Sequence, residues 1–253
     1  MSTPPSAAAI LSWVLFAGAA GVQPALAQSS AATNLSGIWV RTDEAGSGTF
    51  GGTLERLPTA ELKPAAKAAV EQEQARRKEE EAKLMKAVNG VYRTPARCST
   101  PSITFMMQHS GGIDIVQDKD EILIIAEEPT TQHIYMDGRA HPSAANWRPN
   151  GTGHSIGHWE SGTLVVDTVG MVAGGGIPGG GRKRPETKLT ERFRLRDPTH
   201  LVVTFTWEDD ELYVRPHTYE FTYEKQPADS YSFESWCDVT DPLQGQSIVV
   251  PPK

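Results

Sequence analysis

The sequence has few of the features that mark nucleic-acid-binding or nucleotide-binding proteins. Its 253 residues carry a net charge of −7, and its one short basic cluster is Arg182–Arg184. Because phosphate binding needs a positive field, this composition argues against a nucleic-acid partner. Strands and helices do not alternate. The glycine runs at 174–176 and 179–181 are interrupted by Pro178 rather than followed by a helix, so they predict a loop and not a phosphate site.

Only one long apolar run occurs, and it lies at the N-terminus. Residues 7–22 are small or apolar, and Ala25-Leu26-Ala27 follows as an A-x-A cleavage site. This layout predicts a signal peptide over residues 1–27 and a mature chain that begins near Gln28. The protein is then periplasmic or secreted, with no stable membrane span after cleavage. The n-region carries no Lys or Arg, so the alternative is a membrane anchor, for which the run is short.

Cysteine is almost absent. Cys98 and Cys237 are the only two, and neither belongs to a C-x-x-C pair. In an oxidising compartment they predict one disulfide that joins the start and the end of the mature core. Such a bond would stabilise the fold by roughly 3–5 kcal/mol in the chain-entropy model. Two free buried thiols are the alternative.

One segment near the start of the mature chain predicts a helix, at about residues 59–89. It is rich in Ala, Glu, Lys, Arg and Gln, which are good helix formers. Thr59 can serve as N-cap, Pro64 fits only in the first turn, and Asn89-Gly90 ends the helix. Its middle is almost entirely polar, so the helix is expected to face solvent and to dock only by its ends.

From Ile103 onward the sequence consists of short apolar or β-branched segments with period-two alternation. In order they are ITFMMQH, GIDIVQD, EILIIAEE, QHIYMD, HSIGHWE, GTLVVDTV, KLTERFRL, HLVVTFTWE and VRPHTYEFTYEK, after a first strand NLSGIWV. Consecutive short strands with mostly short connections predict an antiparallel meander closed as a sandwich or a barrel. We expect one domain over residues 28–253.

The densest group of polar side chains lies in a predicted hairpin, HSIGHWE-SG-TLVVDTV. Alternation puts His154 and His158 on one face. A turn at Ser161-Gly162, or a bulged turn that includes Glu160, shifts the register by one residue, so the sequence leaves open whether Asp167 shares that face. On a strand the two histidines are about 13 Å apart, too far to bind one zinc ion. No metal or organic cofactor is expected.

These side chains favour acid–base chemistry on a small molecule inside the barrel. The candidate acids and bases are His154, His158 and His141, with Asp167 as an orienting carboxylate. The candidate substrate-binding residues are one arginine and four aromatic residues: Arg139, Tyr135, Trp147, Trp159 and Tyr213. The alternative is a structural hydrogen bond for each histidine and core packing for each tryptophan. Glu191 and Arg192 point to opposite faces of one strand, so at most one of them faces the interior.

Several motifs together resemble a widespread, largely uncharacterised family of exported bacterial proteins. They are LSGIW, IYMDGRAHP, GHSIGHWESGTLVVDTVG and LTERFR, with the late Cys237. The resemblance covers most of residues 35–237 and implies export and a lipocalin-like β-barrel. Two segments depart from the family pattern. Met171–Pro185 is Gly-rich and lacks the histidine that the family has there, and the predicted helix is unusually charged.

The sequence therefore predicts a mainly β protein with a lipocalin-like barrel and one long charged helix. Its predicted function is a cofactor-independent lyase or isomerase that acts by histidine acid–base catalysis on a small molecule of partly apolar or aromatic character. The alternative is a non-catalytic lipocalin-like protein that binds an apolar ligand. A third interpretation is an envelope interaction module that uses the charged helix. The sequence leaves the substrate, the reaction and the oligomeric state open.

Overall fold

The computed structural model describes Met1 and residues 32–42, 60–87, 92–93, 103–108, 112–126, 130–172, 174–178, 182–231 and 248–249. The predicted signal peptide, apart from Met1, lies outside the described residues. So do Cys98 and Cys237. The signal peptide and the disulfide therefore remain predictions.

The described chain is mainly β. In chain order its elements are β1 (Gly37–Arg41), α1 (Pro64–Ala87), β2 (Tyr92–Arg93), α2 (Ile103–Gln108), β3 (Gly112–Gln117), β4 (Glu121–Ala126), β5 (Thr131–Tyr135), a 3-10 helix (Ala144–Asn146), β6 (His154–Glu160), β7 (Thr163–Val169), β8 (Gly174–Gly176), β9 (Arg182–Lys183), β10 (Lys188–Asp197), β11 (His200–Glu208), β12 (His217–Lys225) and β13 (Ile248–Val249).

Nine of these strands close into a barrel in the order β1-β12-β11-β10-β7-β6-β5-β4-β3, and β1 pairs with β3 to complete it. The strands β2 and β13, and β8 and β9, form two separate pairs. Inward-facing residues of the barrel alternate with outward-facing ones, so one face of each strand builds the core. The predicted mainly β fold with a closed lipocalin-like barrel and a long charged helix is confirmed.

The segment ITFMMQ was expected to be a strand, and this expectation is wrong. Residues 103–108 form helix α2, in which Ile103, Met106 and Met107 are buried. Their spacing of three and four residues puts them on one helical face, and this face packs into the core. The hydroxyl of Tyr223 donates to the carbonyl of Met107 at 2.6 Å. A short apolar run fits a strand or a helix equally well in sequence, and packing decides between them.

The barrel is not a pure antiparallel meander, because β5 and β6 run parallel. Residues 136–153 connect them. A parallel pair needs such a long crossover, and this one carries the 3-10 helix at Ala144–Asn146. The crossover lies against the outer side of the barrel and supplies half of the candidate site described below.

Helix α1 begins at Pro64, later than the predicted start near residue 59, and the predicted N-cap Thr59 lies outside the described residues. Proline suits the first helical position because the N–H that it lacks would have no partner there. Ala66 is buried, whereas the described side chains beyond Val70 are mostly exposed. Arg76 forms ion pairs with Glu73 and Glu80 along the helix. None of the described helices is long and apolar enough to cross a membrane.

Candidate functional site

The hairpin between β6 and β7 has the shorter of the two predicted turns. Ser161 and Gly162 both have positive φ, at +49° and +83°, as expected for the two central residues of a type I′ turn. This turn pairs His154 with Val169 and Ile156 with Asp167. Directly opposed residues share a face of the sheet, so Asp167 lies on the same face as His154 and His158.

That face points away from the barrel axis. Ser155 is buried, whereas His154 is only partly buried and His158 is exposed. On the partner strand the inward positions are Leu164, Val166 and Thr168, all of them buried. The expectation that the hairpin histidines line the barrel interior is therefore wrong. Strand alternation is fixed by sequence, but the choice of the inner face depends on what the rest of the barrel packs against.

A pocket of ≈ 660 Å³ lies on this outer side, between the barrel wall and the crossover 136–153. We call it the outer pocket. Its lining comes from β5, from the crossover, from the start of β6 and from the end of β7: Thr131, His133, Tyr135, Pro142, Asn146, Trp147, Arg148, Asn150, Gly151, Thr152, Gly153, His154 and Gly170. Three of the sequence-predicted residues, Tyr135, Trp147 and His154, thus lie on its wall.

His141 and His154 form a directly hydrogen-bonded pair at this pocket. Their Nδ1 atoms are 2.8 Å apart, and their rings meet edge to face with centroids 5.0 Å apart. A hydrogen bond between two such nitrogens needs one donor and one acceptor. The pair therefore holds one proton between its two Nδ1 atoms, and each imidazole sets the tautomer of the other.

Both imidazoles favour the neutral form. Burial lowers the pKa of His141, and the positive charge of a protonated His154 lowers it further, against the opposing effect of Asp167. Burial also lowers the pKa of His154, as does the nearby Arg139. At neutral pH the pair is thus uncharged. One ring can then accept a proton, while the other ring orients it through the hydrogen bond between the two Nδ1 atoms.

Aromatic and cationic groups surround the pair. The ring of Tyr135 lies 5.3 Å from that of His154, and the guanidinium of Arg139 lies 3.8 Å above the Tyr135 ring. Arg139 also donates to Asp137 at 2.8 Å, which lowers the pKa of Asp137 to about 2. The ion pair with Asp137 thus holds the Arg139 guanidinium over the Tyr135 ring.

Trp147 closes one side of the outer pocket through two contacts. Its indole N–H donates to the carbonyl of Pro142 at 2.9 Å. Its ring packs on Gly170, where a Cβ atom would lie only 3.3 Å from Trp147 Cγ. Gly170 has φ +65°, a conformation that glycine adopts without strain. Trp147 is thus fixed by a close approach that only glycine permits easily.

Two of the predicted catalytic residues, His158 and Asp167, lie on the outer face but are not part of the His141–His154 pair. His158 is exposed and bonds to Glu160 at 2.9 Å, and Glu160 also accepts from Arg192. Asp167 accepts from the hydroxyl of Thr190 at 2.9 Å and acts on His141 by its charge alone. The structure therefore brings together His141 and His154, but not His158.

Trp159 and Tyr213 lie elsewhere. Trp159 is on the inward side of β6, where it packs against the core. Tyr213 is buried next to Leu62, with which it forms a β-bridge, and its hydroxyl donates to the carbonyl of Pro178 at 3.1 Å. Neither side chain lines the outer pocket.

A second group of polar residues lies on the inner face of β5, β6, β7 and β10, and none of them was among the candidate site residues. Glu191, on β10, is fully buried, whereas Arg192 is exposed, so the prediction that at most one of the two faces the interior is confirmed. Gln132, Ser155 and Thr168 are buried beside Glu191. We call these four residues the inner polar cluster. A polar residue at an inward position of an alternating strand was the signal for each of them.

Among the described residues, no three His, Cys, Asp or Glu side chains are grouped so as to hold a metal ion. No protein-family model, no curated protein and no solved structure matches the chain.

Proposed function

We propose that the protein is an exported small-molecule enzyme of the lyase or isomerase type, in which the His141–His154 pair transfers a proton. The observation that carries this proposal is the 2.8 Å contact between the two Nδ1 atoms at the wall of the outer pocket. Proton transfer by a positioned imidazole contributes roughly 10²–10⁴-fold to a rate.

The pair can present either an acid or a base to the pocket. When His154 carries its proton on Nδ1, that N–H donates to His141, and Nε2 of His154 accepts a proton from substrate. When His141 is the donor instead, Nε2 of His154 carries the proton and returns it. A lyase or an isomerase needs both steps, removal of a proton at one atom and its delivery at another, with no oxidant or reductant.

The surroundings of the pair favour a partly aromatic substrate. Tyr135 and Trp147 supply aromatic surface, and Pro142 adds an apolar wall. Arg148, on the pocket wall, supplies positive charge for an oxyanion that develops on proton removal. Export follows from the signal-like N-terminus and fits a substrate that the protein meets outside the cytoplasm.

The test compares His154→Gln and His141→Gln with His158→Gln, which lies on the same face of the same strand but outside the outer pocket. Each purified protein is incubated with a metabolite extract, and substrate loss and product gain are followed by mass spectrometry. We expect turnover to fall by about 10²-fold or more in the first two variants and to stay within about twofold in His158→Gln. In the wild type, kcat/KM should fall on acidification, as the pair becomes protonated.

Unchanged turnover in both His154→Gln and His141→Gln would contradict the proposal. Metabolites that are retained by the wild type without conversion, and released by a Trp147→Ala variant, would instead show a non-catalytic binding protein that uses the same pocket.

A further inference from the structure

Several polar side chains of the outer pocket are committed to the protein itself. The side-chain oxygen of Asn150 accepts from the N–H groups of Thr152 at 2.9 Å and Gly153 at 2.8 Å. The Thr152 hydroxyl donates to the carbonyl of Thr131 at 3.3 Å. These bonds fix the end of the crossover against β5, so the same groups are not free to select a ligand.

Arg148 is the exception on this wall. It lines the pocket and is exposed, and its guanidinium has no ion pair or hydrogen bond with a side chain in the described part of the chain. The carboxylates of Glu121 and Asp137 bond instead to His133 and Arg139. Although the chain has a net charge of −7, no Asp or Glu is among the described residues that line the pocket.

An arginine on a pocket wall without a carboxylate partner favours an anionic ligand. Its guanidinium presents N–H groups in a planar fork that matches the two oxygens of a carboxylate. One guanidinium carries one positive charge, so it balances a singly charged carboxylate better than a doubly charged phosphate group. A cationic ligand would be repelled.

The rest of the wall determines the body of the ligand. The indole N–H of Trp147 already donates to the carbonyl of Pro142, and it is the only polar group of that side chain. Trp147 therefore offers only apolar ring surface to the pocket, and Tyr135 adds a second ring. Aromatic rings gain from stacking on one another beyond the area that they bury. The volume of ≈ 660 Å³ lies within the range of small-molecule sites, about 300–1,000 Å³.

We infer that the outer pocket binds a small aromatic carboxylate, with the carboxylate on Arg148 and the ring against Trp147. As a substrate class this inference rests on the proposed function. Removal of a proton from the carbon next to the carboxylate breaks one C–H bond. The proton goes to His154, and the electron pair spreads onto the carboxylate oxygens. The arginine that binds the substrate then also stabilises the charge that develops.

The probe is 2-naphthoate, and 2-naphthamide is its neutral counterpart of nearly the same shape. Binding of each compound to the full chain is measured by isothermal titration calorimetry, which needs no turnover. We expect 2-naphthoate to bind more tightly than 2-naphthamide. Arg148→Gln should weaken 2-naphthoate binding roughly tenfold to hundredfold, as expected for a lost charge-assisted hydrogen bond, and should leave 2-naphthamide binding nearly unchanged.

Three further variants separate charge, geometry and ring stacking. Arg194→Gln removes an exposed arginine of β10 that lies outside the outer pocket, and it should leave 2-naphthoate binding unchanged. Arg148→Lys keeps the charge without the planar fork and should recover only part of the affinity. Trp147→Ala should weaken the binding of 2-naphthoate and of 2-naphthamide by the same factor. Urea unfolding of each variant checks that the fold is retained.

Equal affinity of the wild type and Arg148→Gln for 2-naphthoate overturns the inference, as does absence of 2-naphthoate binding to the wild type at millimolar concentration. Tighter binding of 2-naphthyl phosphate than of 2-naphthoate would contradict the assignment of a single negative charge. Failure of the proposed catalysis has a different signature. The wild type would then bind 2-naphthoate through Arg148 as expected, while His154→Gln and His141→Gln leave turnover unchanged.

Discussion

The two faces of the barrel wall formed by β5, β6, β7 and β10 carry polar groups under opposite conditions. On the outer face, His154 is half-buried, lines the outer pocket and shares a hydrogen bond with His141. On the inner face, Glu191 and Gln132 are fully buried and keep one oxygen each without a partner. Gln132, His154 and Glu191 lie on different strands of this wall, and alternate residues of each strand point to opposite faces. Solvation therefore decides which protonation state each face favours.

The shifts in pKa show this contrast directly. Burial raises the pKa of Glu191 to about 7, whereas burial lowers the pKa of His141 and of His154. In each case the neutral form is favoured. Because a neutral carboxyl binds a proton and a neutral imidazole has lost one, the two faces should respond to pH in opposite directions.

The largest expected effect is the pH dependence of stability that comes from Glu191. In the unfolded chain this carboxyl loses its proton near pH 4.5, whereas in the fold its pKa is about 7. The folded state therefore binds more protons between these values, and the free energy of unfolding falls as pH rises, by roughly 3 kcal/mol. Urea unfolding of the wild type and Glu191→Gln across this range measures the difference. Parallel curves for the two proteins would show that Glu191 does not titrate in this way.

The next effect concerns steric tolerance at two adjacent residues on opposite faces. A Cβ atom on the inward-facing Gly157 would lie 2.6 Å from Sδ of Met136 and 2.7 Å from Cγ2 of Ile134. We expect Gly157→Val to destabilise the protein by about 2–3 kcal/mol through overpacking. His158→Val, one residue away on the exposed face, should change stability by about 0.5 kcal/mol or less.

Chemical denaturation of the two variants checks this prediction. A tolerated valine at position 157 would mean that Met136 and Ile134 move aside easily, and that the inner face is less tightly packed than the described core.

A smaller loss of stability is expected when a threonine hydroxyl group is removed from either face. Thr168→Val removes one of the two partners of the buried Ser155 hydroxyl and should cost about 1–2 kcal/mol. Thr190→Val removes the outward hydrogen bond to Asp167, where water can replace it, and should cost about 0.5 kcal/mol or less. The free energies of unfolding of both variants measure this difference. Equal losses of stability in Thr168→Val and Thr190→Val would contradict the expected difference between the inner and the outer face.

The smallest effect belongs to the histidine pair. Because the pKa of each ring is lowered in the fold, the unfolded chain binds more protons just below pH 6.5. The stability contributed by the neutral pair is thus present above that pH and is lost on acidification, opposite in sign to the effect of Glu191. The free energy of unfolding of His154→Gln should depend less on pH below 6.5 than that of the wild type. A steeper acid loss in the variant would contradict the shared-proton geometry.

Much of the fold could be predicted because local sequence patterns determine its strands, turns and helix. The alternation of His154 to Glu160, the turn at Ser161-Gly162 and the helix from Pro64 onward follow from side-chain size, glycine and proline placement and helix propensity. The predicted strand at residues 103–108 failed because a short apolar run satisfies both periods until packing selects one. The parallel pairing of β5 with β6 depends on a crossover whose path has no local signal.

The residues of the candidate site could be predicted from the sequence, but the contacts between them could not. Tyr135, Trp147 and His154 were all chosen from sequence, and all three line the outer pocket. Arg139 and His141 were also chosen, and they contact Tyr135 and His154 respectively. His158 was chosen for the same reason as His154 and lies apart, because four residues along a strand carry it away from the crossover. Pairing of His141 with His154 requires the crossover to fold back over β6.

By itself the sequence determines which side chains alternate and where the chain turns, since these depend on neighbours along the backbone. Only the tertiary structure decides which of the two alternating sets faces the barrel axis. That choice depends on closing nine strands around one core, and burying one set removes its water. The same closure buries Glu191 beside Gln132 and leaves the histidine pair at the surface pocket.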